Sequence, residues 1–310
     1  MTPEETRNVI QRLPALYDEP FADSSQIPTF LVASLARRRV TVALSGDGGD
    51  ELFGGYTRYR WGPRILRHGR WRRRVLAALL LALPSAAWDA VFRLLPGTGM
   101  PSALGDKLHK LAALLRCNSR PELYQQLVSL WPEHSALVLD CAETLPGWGK
   151  AWPEGWSFAE QMMLNDAQEY LPDDILTKVD RASMGVSLET RAPYLDHRVF
   201  EFAWQLPLSL KIRNQDSKWL LRQVLYQYVP RDMIERPKAG FSVPIGEWLR
   251  GPLREWAEAL LDERRLRREG YLHPAPIRRA WQQHLQGERN WQHRLWAVLM
   301  FQAWLEANSN

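Results

Sequence analysis

Apolar and polar residues follow one another in a pattern that predicts mostly helices, with one short strand early in the chain. In Pro28–Arg38 the positions Phe30, Leu31, Ser34 and Leu35 recur at helical spacing, and consecutive arginines stand where the helix would end. The next segment, Val40–Leu44, is apolar and partly β-branched, and it predicts a short buried strand. Residues 1–60 are therefore interpreted as the end of an α/β unit.

Residues 61–310 predict a mainly helical remainder. Residues 60–155 are rich in Trp, Leu and Pro and predict helices joined by turns, with a loop at Trp148–Trp156. A further helix is predicted over Gln161–Tyr170, and Leu171–Pro172 would close or kink it. Charged amphipathic helices with regularly spaced tryptophans are predicted over Pro252–Leu305.

Composition is that of an ordinary globular protein, with 45% hydrophobic and 24% charged residues in 310. The two cysteines, Cys117 and Cys141, are too few for a disulfide framework or a cysteine metal cluster. A reducing, cytoplasmic setting is therefore expected. The segment Met1–Leu16 is polar and carries acids, unlike a signal peptide.

The formal net charge is +5, and most of the positive excess is concentrated in Arg58–Arg74, where arginines are interleaved with Trp and Tyr. The following Val75–Leu83 is apolar but too short to span a bilayer. Such a pair of segments is compatible with a membrane surface or with nucleic acid. We expect neither, because a solvated helix whose apolar face packs on its own domain explains the pattern, and no nucleic-acid-binding module accompanies it.

Candidate chemistry is densest in Ser45–Tyr56, a glycine-rich acidic loop that directly follows the predicted strand. Open α/β sheets bind ligands at the carboxyl ends of their strands, and glycines allow close approach of the backbone. Asp47, Asp50 and Glu51 offer oxygen ligands suited to Mg²⁺ held together with a substrate phosphate. The spacing differs from that of a Walker A loop, a Rossmann fingerprint and an EF-hand. The pattern indicates a nucleotide–metal loop; a surface turn remains the alternative.

At these residues the sequence resembles a known family. Ser45–Tyr56 is similar to the second signature of the asparagine synthetase domain, and further segments match in the family's order. They are Asp18–Thr29, Leu171–Asp196, and Ser217–Arg222 followed by Arg236–Gly246. The resemblance extends from about residue 15 to about residue 255.

The resemblance implies an α/β fold. A partial parallel-sheet domain of the adenine-nucleotide α-hydrolase-like (ATP pyrophosphatase) type would be followed by a mainly helical C-terminal region. It also implies ATP-dependent conversion of aspartate to asparagine, with ATP as substrate and Mg²⁺ as cofactor. The aspartate carboxylate attacks the α-phosphate to give an aspartyl-adenylate and pyrophosphate, and ammonia derived from glutamine then displaces AMP.

The resemblance also implies roles for residues of the loop. Asp50 matches the family position that coordinates Mg²⁺ with the leaving pyrophosphate. Asp47 aligns with a family acid, often Glu, that lies near the reacting carboxyl group and could act as general base. Ser45, Gly46 and Gly48 would approach the nucleotide through backbone N–H groups or close contact.

Outside the loop, Lys218 matches a family lysine held against the phosphates, where its ammonium neutralises charge on the α-phosphate. Asp180 and Arg191 belong to the central signature, which we interpret as mainly architectural, and of its residues we expect these two to reach the site. Lys238–Phe241 suggests a loop on the phosphate side. Without the resemblance, Lys218 would be interpreted as a solvated residue opening a helix.

Two parts that the family normally carries are not found in this sequence. One is a glutaminase domain, whose nucleophilic cysteine follows the initiator Met; here Thr2 occupies that position, and Cys117 and Cys141 are interpreted as structural. The other is the Ser-Gly-Gly-x-Asp-Ser pyrophosphate loop, which would precede Ser45. ATP binding by the chain alone is therefore expected to be weak.

Several explanations remain open: the C-terminal fragment of a synthetase, one subunit that works with a separate N-terminal synthetase or glutaminase chain, or a degenerate binding module. Another carboxylate substrate is also possible, as in a β-lactam-forming cyclase or an amidotransferase of surface-polysaccharide biosynthesis. The retained positions Asp50 and Lys218 favour the fragment over the binding module.

Overall fold

The structure is a computed structural model that describes residues 3–93, 104–132, 136–141, 152–214, 216–235 and 243–308. The chain divides into two compact units. Unit 1 contains residues 1–18, 23–63 and 150–243, and unit 2 contains residues 19–22, 64–149 and 244–310. This division differs from the expected one, in which a single helical remainder begins near residue 61. The reason is that residues 150–243 return to unit 1 and carry a second strand to the first.

Helices make up most of the described chain, and the strands are short. The first ten α-helices are α1 (Pro3–Ile10), α2 (Leu13–Leu16), α3 (Gln26–Arg37), α4 (Gly49–Leu52), α5 (Arg58–Arg67), α6 (Arg70–Leu81), α7 (Ser85–Arg93), α8 (Leu104–Arg116), α9 (Arg120–Val128) and α10 (Phe158–Asn165). The next five are α11 (Thr177–Met184), α12 (His197–Gln205), α13 (Leu208–Lys211), α14 (Trp219–Leu225) and α15 (Arg231–Ile234). The last five are α16 (Ile245–Arg250), α17 (Arg254–Leu260), α18 (Glu263–Glu269), α19 (Pro274–Leu285) and α20 (Gln292–Asn308). The strands are β1 (Val42–Leu44), β2 (Glu189–Arg191), β3 (Ile212–Arg213) and β4 (Asp216–Ser217).

A two-stranded parallel sheet positions the glycine-rich loop of unit 1. β1 pairs with β2 in the register Val42 to Glu189 and Leu44 to Arg191, and α3 packs with α11 beside it. The predicted helix and strand before the loop are confirmed. The predicted burial of that strand is wrong, because Leu44 is 76% exposed. Within the described residues β2 is the sole neighbour of β1, so the other edge of β1 is open.

The helix that begins at Phe158 does not end at Leu171–Pro172, where the sequence predicted a break or kink. α10 instead runs into a π-helix, Asp166–Leu176, which contains Pro172 and leads directly into α11. Proline cannot donate the hydrogen bond of a regular α-helix, and here it lies in a segment whose pairing is i→i+5. Because the helix continues through Pro172, the chain runs without a break into α11, which β2 follows.

The second strand pair of unit 1 is a small antiparallel ladder that places the start of α14. β3 and β4 pair Ile212 with Ser217, and Lys218 follows as the residue that caps α14. The expected helix opened by Lys218 is confirmed as α14, although its Val224 and Leu225 are exposed. Leu221 packs against a core formed by Leu52 and Phe53 from the end of the glycine-rich loop, with Ala203.

Helices α6–α9 of unit 2 correct the interpretation of the basic segment. α6 packs on α8 through a buried face that contains Arg73 and Ala77, and the Arg73 guanidinium donates to the Cys117 carbonyl oxygen at 2.8 Å. Trp71 is 75% exposed and Leu79 is 61% exposed on the opposite face. The expectation that the apolar face packs on the domain is therefore wrong.

Helices α16–α20 form the best-buried part of unit 2. Trp281 of α19 and Trp296 of α20 are fully buried, together with Leu299. The Glu258 carboxylate accepts hydrogen bonds from the Trp281 indole and the Arg278 guanidinium, so the polar end of the tryptophan is satisfied. The predicted C-terminal helices are confirmed, and Trp281 and Trp296 among their tryptophans pack in the core.

Candidate active site

The glycine-rich loop begins where β1 ends, at the carboxyl end of the parallel pair. The Ser45 backbone N–H donates to the Arg191 carbonyl oxygen at 2.8 Å and so extends the ladder by one residue. Gly48 then adopts φ +85° and caps the short helix α4. This left-handed conformation favours glycine, which explains the residue type at the turn between strand and helix.

The turn that follows β2 lies against the same loop. A Cβ atom added to Gly48 would meet Leu195 Cδ2 at 2.6 Å, and one added to Gly49 would meet Tyr194 Cε2 at 3.2 Å. Both glycines are buried. The close approach of Tyr194 and Leu195 therefore depends on the absence of side chains, and the two sequence signatures meet here through backbone packing.

Asp50 and Lys218 form the centre of the site. The Lys218 ammonium lies 2.9 Å from Asp50 Oδ1, although the two residues come from different signatures. The side chains of Lys218 and Asp50 are 28% and 35% exposed, so both remain accessible to a ligand. The two residues that the resemblance assigned to the phosphates and the metal are thus brought together.

The backbone of Lys218 is held in an uncommon conformation. Its φ is +54°, a left-handed value that costs a residue with a side chain about 1 kcal/mol or more. The Lys218 N–H donates to the Phe53 carbonyl oxygen at 3.1 Å, which ties β4 to the end of the glycine-rich loop. Strain of this kind persists where surrounding contacts impose it, as they do at functional sites.

Gly55 makes room for this ion pair. A Cβ atom at Gly55 would lie 1.7 Å from Asp50 Oδ1 and 2.4 Å from Lys218 Cε. The Gly55 N–H also donates to the Asp50 carbonyl oxygen at 2.7 Å. A residue with a side chain at this position would therefore force the carboxylate and the ammonium apart.

The structure places the other loop residues as follows. Asp47 is half-buried immediately before Gly48, and its carboxylate forms no hydrogen bond or ion pair within the described residues. Gly46 is exposed with open space at its Cα. Ser45 is corrected in one respect: its N–H is already used by Arg191, so only its hydroxyl and carbonyl groups remain for a nucleotide.

Asp180 and Arg191 do not join the ion pair. The Arg191 guanidinium binds Glu189 at 2.8 Å in an exposed pair, and its backbone alone touches the loop through Ser45. Asp180 on α11 lies 3.9 Å from Arg181 and is also exposed. Neither side chain bonds to Asp47, Asp50 or Lys218 in the described part of the chain. Lys238–Phe241 lies outside the described residues.

The sequence predicted Glu51 as an oxygen ligand for Mg²⁺ in the loop, and the structure buries it instead. Glu51 is buried, and Oε1 accepts a hydrogen bond from the Tyr56 hydroxyl at 2.6 Å, so the carboxylate serves the interior rather than a surface metal. Burial raises the pKa of Glu51, although the hydrogen bond from Tyr56 works in the opposite direction. Burial likewise raises the pKa of the Tyr56 hydroxyl.

A polar and aromatic layer behind the loop was missed altogether. The Arg58 guanidinium lies 4.0 Å from the ring centre of Tyr56 and 4.8 Å from that of Tyr170, and it forms an ion pair with buried Asp166 at 2.9 Å. The Tyr59 hydroxyl donates to the same carboxylate. The sequence feature that could have indicated this layer is Tyr-x-Arg-Tyr at residues 56–59. Its buried partner, Asp166, lies more than a hundred residues further along the chain.

A second charged cluster lies in the same unit. Lys178 binds Asp23 at 2.6 Å. Burial alone would raise the pKa of Asp23, but the Lys178 ammonium and hydrogen bonds from Lys178 and Ser25 lower it. Burial and the Asp23 charge raise the pKa of Asp174 to about 6. Two signatures of the resemblance, around residues 18–29 and 171–196, are thus joined by an ion pair.

The cysteines show no sign of catalytic use. Both are free thiols, and burial raises the pKa of Cys117 to about 11, which disfavours the thiolate that a nucleophile requires. Cys141 is half-buried. These surroundings agree with the structural interpretation of Cys117, whereas that of Cys141 stays a prediction.

The donor set is suited to Mg²⁺ that arrives with phosphate. No group of three or more His, Cys, Asp or Glu side chains that could hold a metal occurs within the described residues. Mg²⁺ commonly takes one or two carboxylates and completes its coordination with substrate phosphates and water. The accessible carboxylate of Asp50 beside the Lys218 ammonium fits that mode and does not fit an ion held by protein alone.

Comparison with known proteins settles the family. A sequence profile described as asparagine synthase matches residues 1–306. The chain belongs to this family. Asparagine synthetase (glutamine-hydrolysing) 1 of Bacillus subtilis (strain 168) is 30% identical over 323 aligned positions, which cover 99% of this chain and 47% of that protein.

Other members of the family show the same relation. A candidate asparagine synthetase (glutamine-hydrolysing) of Mycobacterium tuberculosis (strain ATCC 25618 / H37Rv) is 36% identical, covering 93% of this chain and 42% of that protein. Human asparagine synthetase (glutamine-hydrolysing) is 28% identical over 143 positions, or 40% of this chain and 24% of the human protein. The chain thus spans less than half the length of these relatives.

Proposed function

We propose that this chain forms the C-terminal part of an ATP-dependent amide-forming site that converts aspartate to asparagine. The observation that carries the proposal is the ion pair between Asp50 and Lys218, which joins two distant family signatures at 2.9 Å. Its position after a parallel strand is where α/β sheets bind nucleotides. We also propose that unit 1 is a partial adenine-nucleotide α-hydrolase-like domain.

Asp50 and Lys218 would act on the phosphates of ATP. Mg²⁺, when bound, would neutralise charge on the leaving pyrophosphate, with Asp50 as its protein ligand. The aspartate carboxylate would form a bond to the α-phosphorus while the bond to the pyrophosphate oxygen breaks. Lys218 would exchange its contact with Asp50 for the α-phosphate oxygens, where negative charge accumulates.

Asp47 would serve the second step. Ammonia attacks the acyl carbon of the aspartyl-adenylate, and the bond to AMP breaks. The attacking nitrogen then carries an extra proton, which a carboxylate within reach can accept. Asp47 is a half-buried loop acid without a hydrogen bond or ion pair in the described chain, so its carboxylate is available for that proton.

The open edge of β1 indicates how the site would be completed. Val42 and Leu44 are exposed on a strand whose described neighbour, β2, covers only one edge. Unpaired strand edges with apolar side chains are sites for further strands. We propose that the remaining part of a synthetase, in the same polypeptide or as a separate chain, adds the pyrophosphate loop here, and that a glutaminase supplies ammonia in the cytoplasm.

The proposal is tested by supplying that part. The chain is produced together with the segment of the Bacillus subtilis relative that lies outside the matched region, and AMP and asparagine are quantified with aspartate, ATP, Mg²⁺ and ammonium. We expect both products in equal amounts, and a loss of about a hundredfold or more in Lys218→Gln. Tyr228→Phe, an exposed change in the same unit, is the matched control.

The outcomes separate the open alternatives. Formation of AMP with another carboxylate, but not with aspartate, would redirect the proposal to a related amidotransferase or β-lactam-forming enzyme. Nucleotide binding without turnover of any carboxylate would identify a binding module and contradict catalysis.

A further inference from the structure

The strongest feature of the chain outside the candidate site is the outward face of α6. Arg73 and Ala77 are buried and fix the opposite face on the rest of unit 2. Among the exposed apolar residues of α6, which also include Leu76, Trp71, Val75 and Leu79 are spaced four apart and form one stripe along the helix. We name this stripe, with the exposed Arg67, Arg70 and Arg72 around the N-terminal end of α6, the α6 surface.

The α6 surface combines apolar exposure with an uncompensated positive charge. From Leu52 to Trp88 the sequence contains eight arginines and no aspartate or glutamate, although Arg58 among them is paired with Asp166. Arg67, Arg70 and Arg72 form no ion pair within the described residues. An ordinary solvated helix would show the reverse arrangement, with charged groups outward and apolar groups against the domain.

We propose that the α6 surface docks on an anionic phospholipid membrane, with α6 lying along the interface. Trp and Leu enter the boundary between headgroups and acyl chains, while arginines around them reach lipid phosphates. The charge is complementary to the cytoplasmic leaflet, which carries negative lipids. An acidic protein surface is the competing occupant, and it would have no need of the projecting stripe of Trp71, Val75 and Leu79.

The geometry favours lying on the membrane over crossing it. No single helix in the described chain is long and apolar enough to cross a bilayer. Helices α6 and α7 reach the required length and composition only together, and a bend of 80° separates them. With Arg70, Trp71 and Arg72 at one end of α6, the helix has the amphipathic pattern of an interfacial segment.

The test is co-sedimentation of the intact chain with phosphatidylcholine vesicles that contain or lack phosphatidylglycerol. We expect binding to the anionic vesicles at low salt, little binding to phosphatidylcholine alone, and weakening as salt is raised. Arg70→Gln with Arg72→Gln should weaken binding by about twenty-five-fold, since each arginine near an anionic surface contributes about fivefold. Trp71→Ala with Leu79→Ala should weaken it at least tenfold at every salt concentration.

Arg267→Gln with Arg268→Gln is the matched control, because it removes two exposed arginines from α18 of the same unit. This variant should keep most of the vesicle binding. Circular dichroism of every variant establishes that the fold is retained. A parent chain that stays in the supernatant with anionic vesicles would overturn the proposal and leave the surface to a protein partner. Equal losses in the control and in the α6 variants would overturn it as well.

Discussion

The C-terminal helices of unit 2 and the small sheet of unit 1 handle their apolar residues in opposite ways. Helix α20 buries Trp296 and Leu299 completely among α16, α17 and α19. Strand β1 leaves Val42 and Leu44 exposed at an edge that no described strand covers. The apolar side chains of α20 are buried within the chain, whereas those of β1 are exposed although their sequence is typical of a buried strand. Substitutions in α20 therefore test stability, and substitutions in β1 test association with a further strand.

The largest effect is expected in the self-contained region. Trp296→Ala would open a cavity in a fully buried position and should lower the free energy of unfolding by about 3–5 kcal/mol. Denaturant titration followed by circular dichroism measures the change. Trp71→Ala removes the same side chain from an exposed site and should change stability by less than about 0.5 kcal/mol. Similar losses in both variants would contradict the burial difference.

A smaller loss of stability, together with a loss of activity, is expected at Gly55. Gly55→Ala places a methyl group against Asp50 Oδ1 and Lys218 Cε, so one side chain must move. We expect about 1–3 kcal/mol of destabilisation and a marked loss of activity in the completed enzyme. Gly69→Ala, where a Cβ meets nothing within 4 Å, is the control for glycine removal. Full activity of Gly55→Ala would show that the ion pair is dispensable.

A third effect concerns pH. The pKa of Asp174 is raised from 3.8 to about 6, so between these values the folded chain binds more protons than the unfolded chain. Stability should therefore fall as pH rises through this window. Asp174→Asn keeps the shape without the charge and should stabilise the chain at pH 7–8 by about 1–2 kcal/mol. Thermal unfolding across pH measures this, with the exposed neighbour variant Asp173→Asn as control; an unchanged slope in Asp174→Asn would exclude the assignment.

The smallest change in stability is expected at the open edge. Leu44→Lys alters a side chain that is 76% exposed, so the free energy of unfolding should change by less than about 0.5 kcal/mol. Association with the remaining part of a synthetase should nevertheless be lost, because a charge would be buried in the completed sheet. Pull-down of that part compares Leu44→Lys with Tyr228→Lys, an exposed control in the same unit. Undiminished association of Leu44→Lys would place the partner elsewhere.

Local patterns predicted the parts of the fold that depend on neighbouring residues. The helix before the loop, the strand β1 and helix α14 follow from periodicity, and the tryptophans of the C-terminal helices follow from their spacing. Strand β2 was missed because three residues in an acidic and basic context carry little β signal. Continuity through Pro172 was missed because a proline ordinarily ends a helix, and the π-helix that accommodates it depends on tertiary packing.

The candidate site shows the same division. Family signatures identified Asp50 and Lys218, and the structure brings them together. The left-handed backbone of Lys218 and the space provided by Gly55 could not be derived, since both depend on segments distant in sequence. Glu51 was grouped with Asp47 and Asp50 as a candidate metal ligand, because the order of acids in a glycine-rich loop does not reveal which side chain is buried. The exposure of the apolar stripe on α6 was not predicted, because periodicity shows that a helix has an apolar face but not whether another part of the chain covers it.

The central claim is that Asp50 and Lys218 act on ATP once the sheet is complete, and aspartate-dependent exchange of labelled pyrophosphate into ATP tests it most directly. This exchange reports the first step without ammonia or a glutaminase. We expect exchange by the chain combined with the segment of the Bacillus subtilis relative outside the matched region, and its loss in Asp50→Asn and Lys218→Gln but not in Asp47→Asn. Exchange that persists undiminished in both Asp50→Asn and Lys218→Gln would contradict the account.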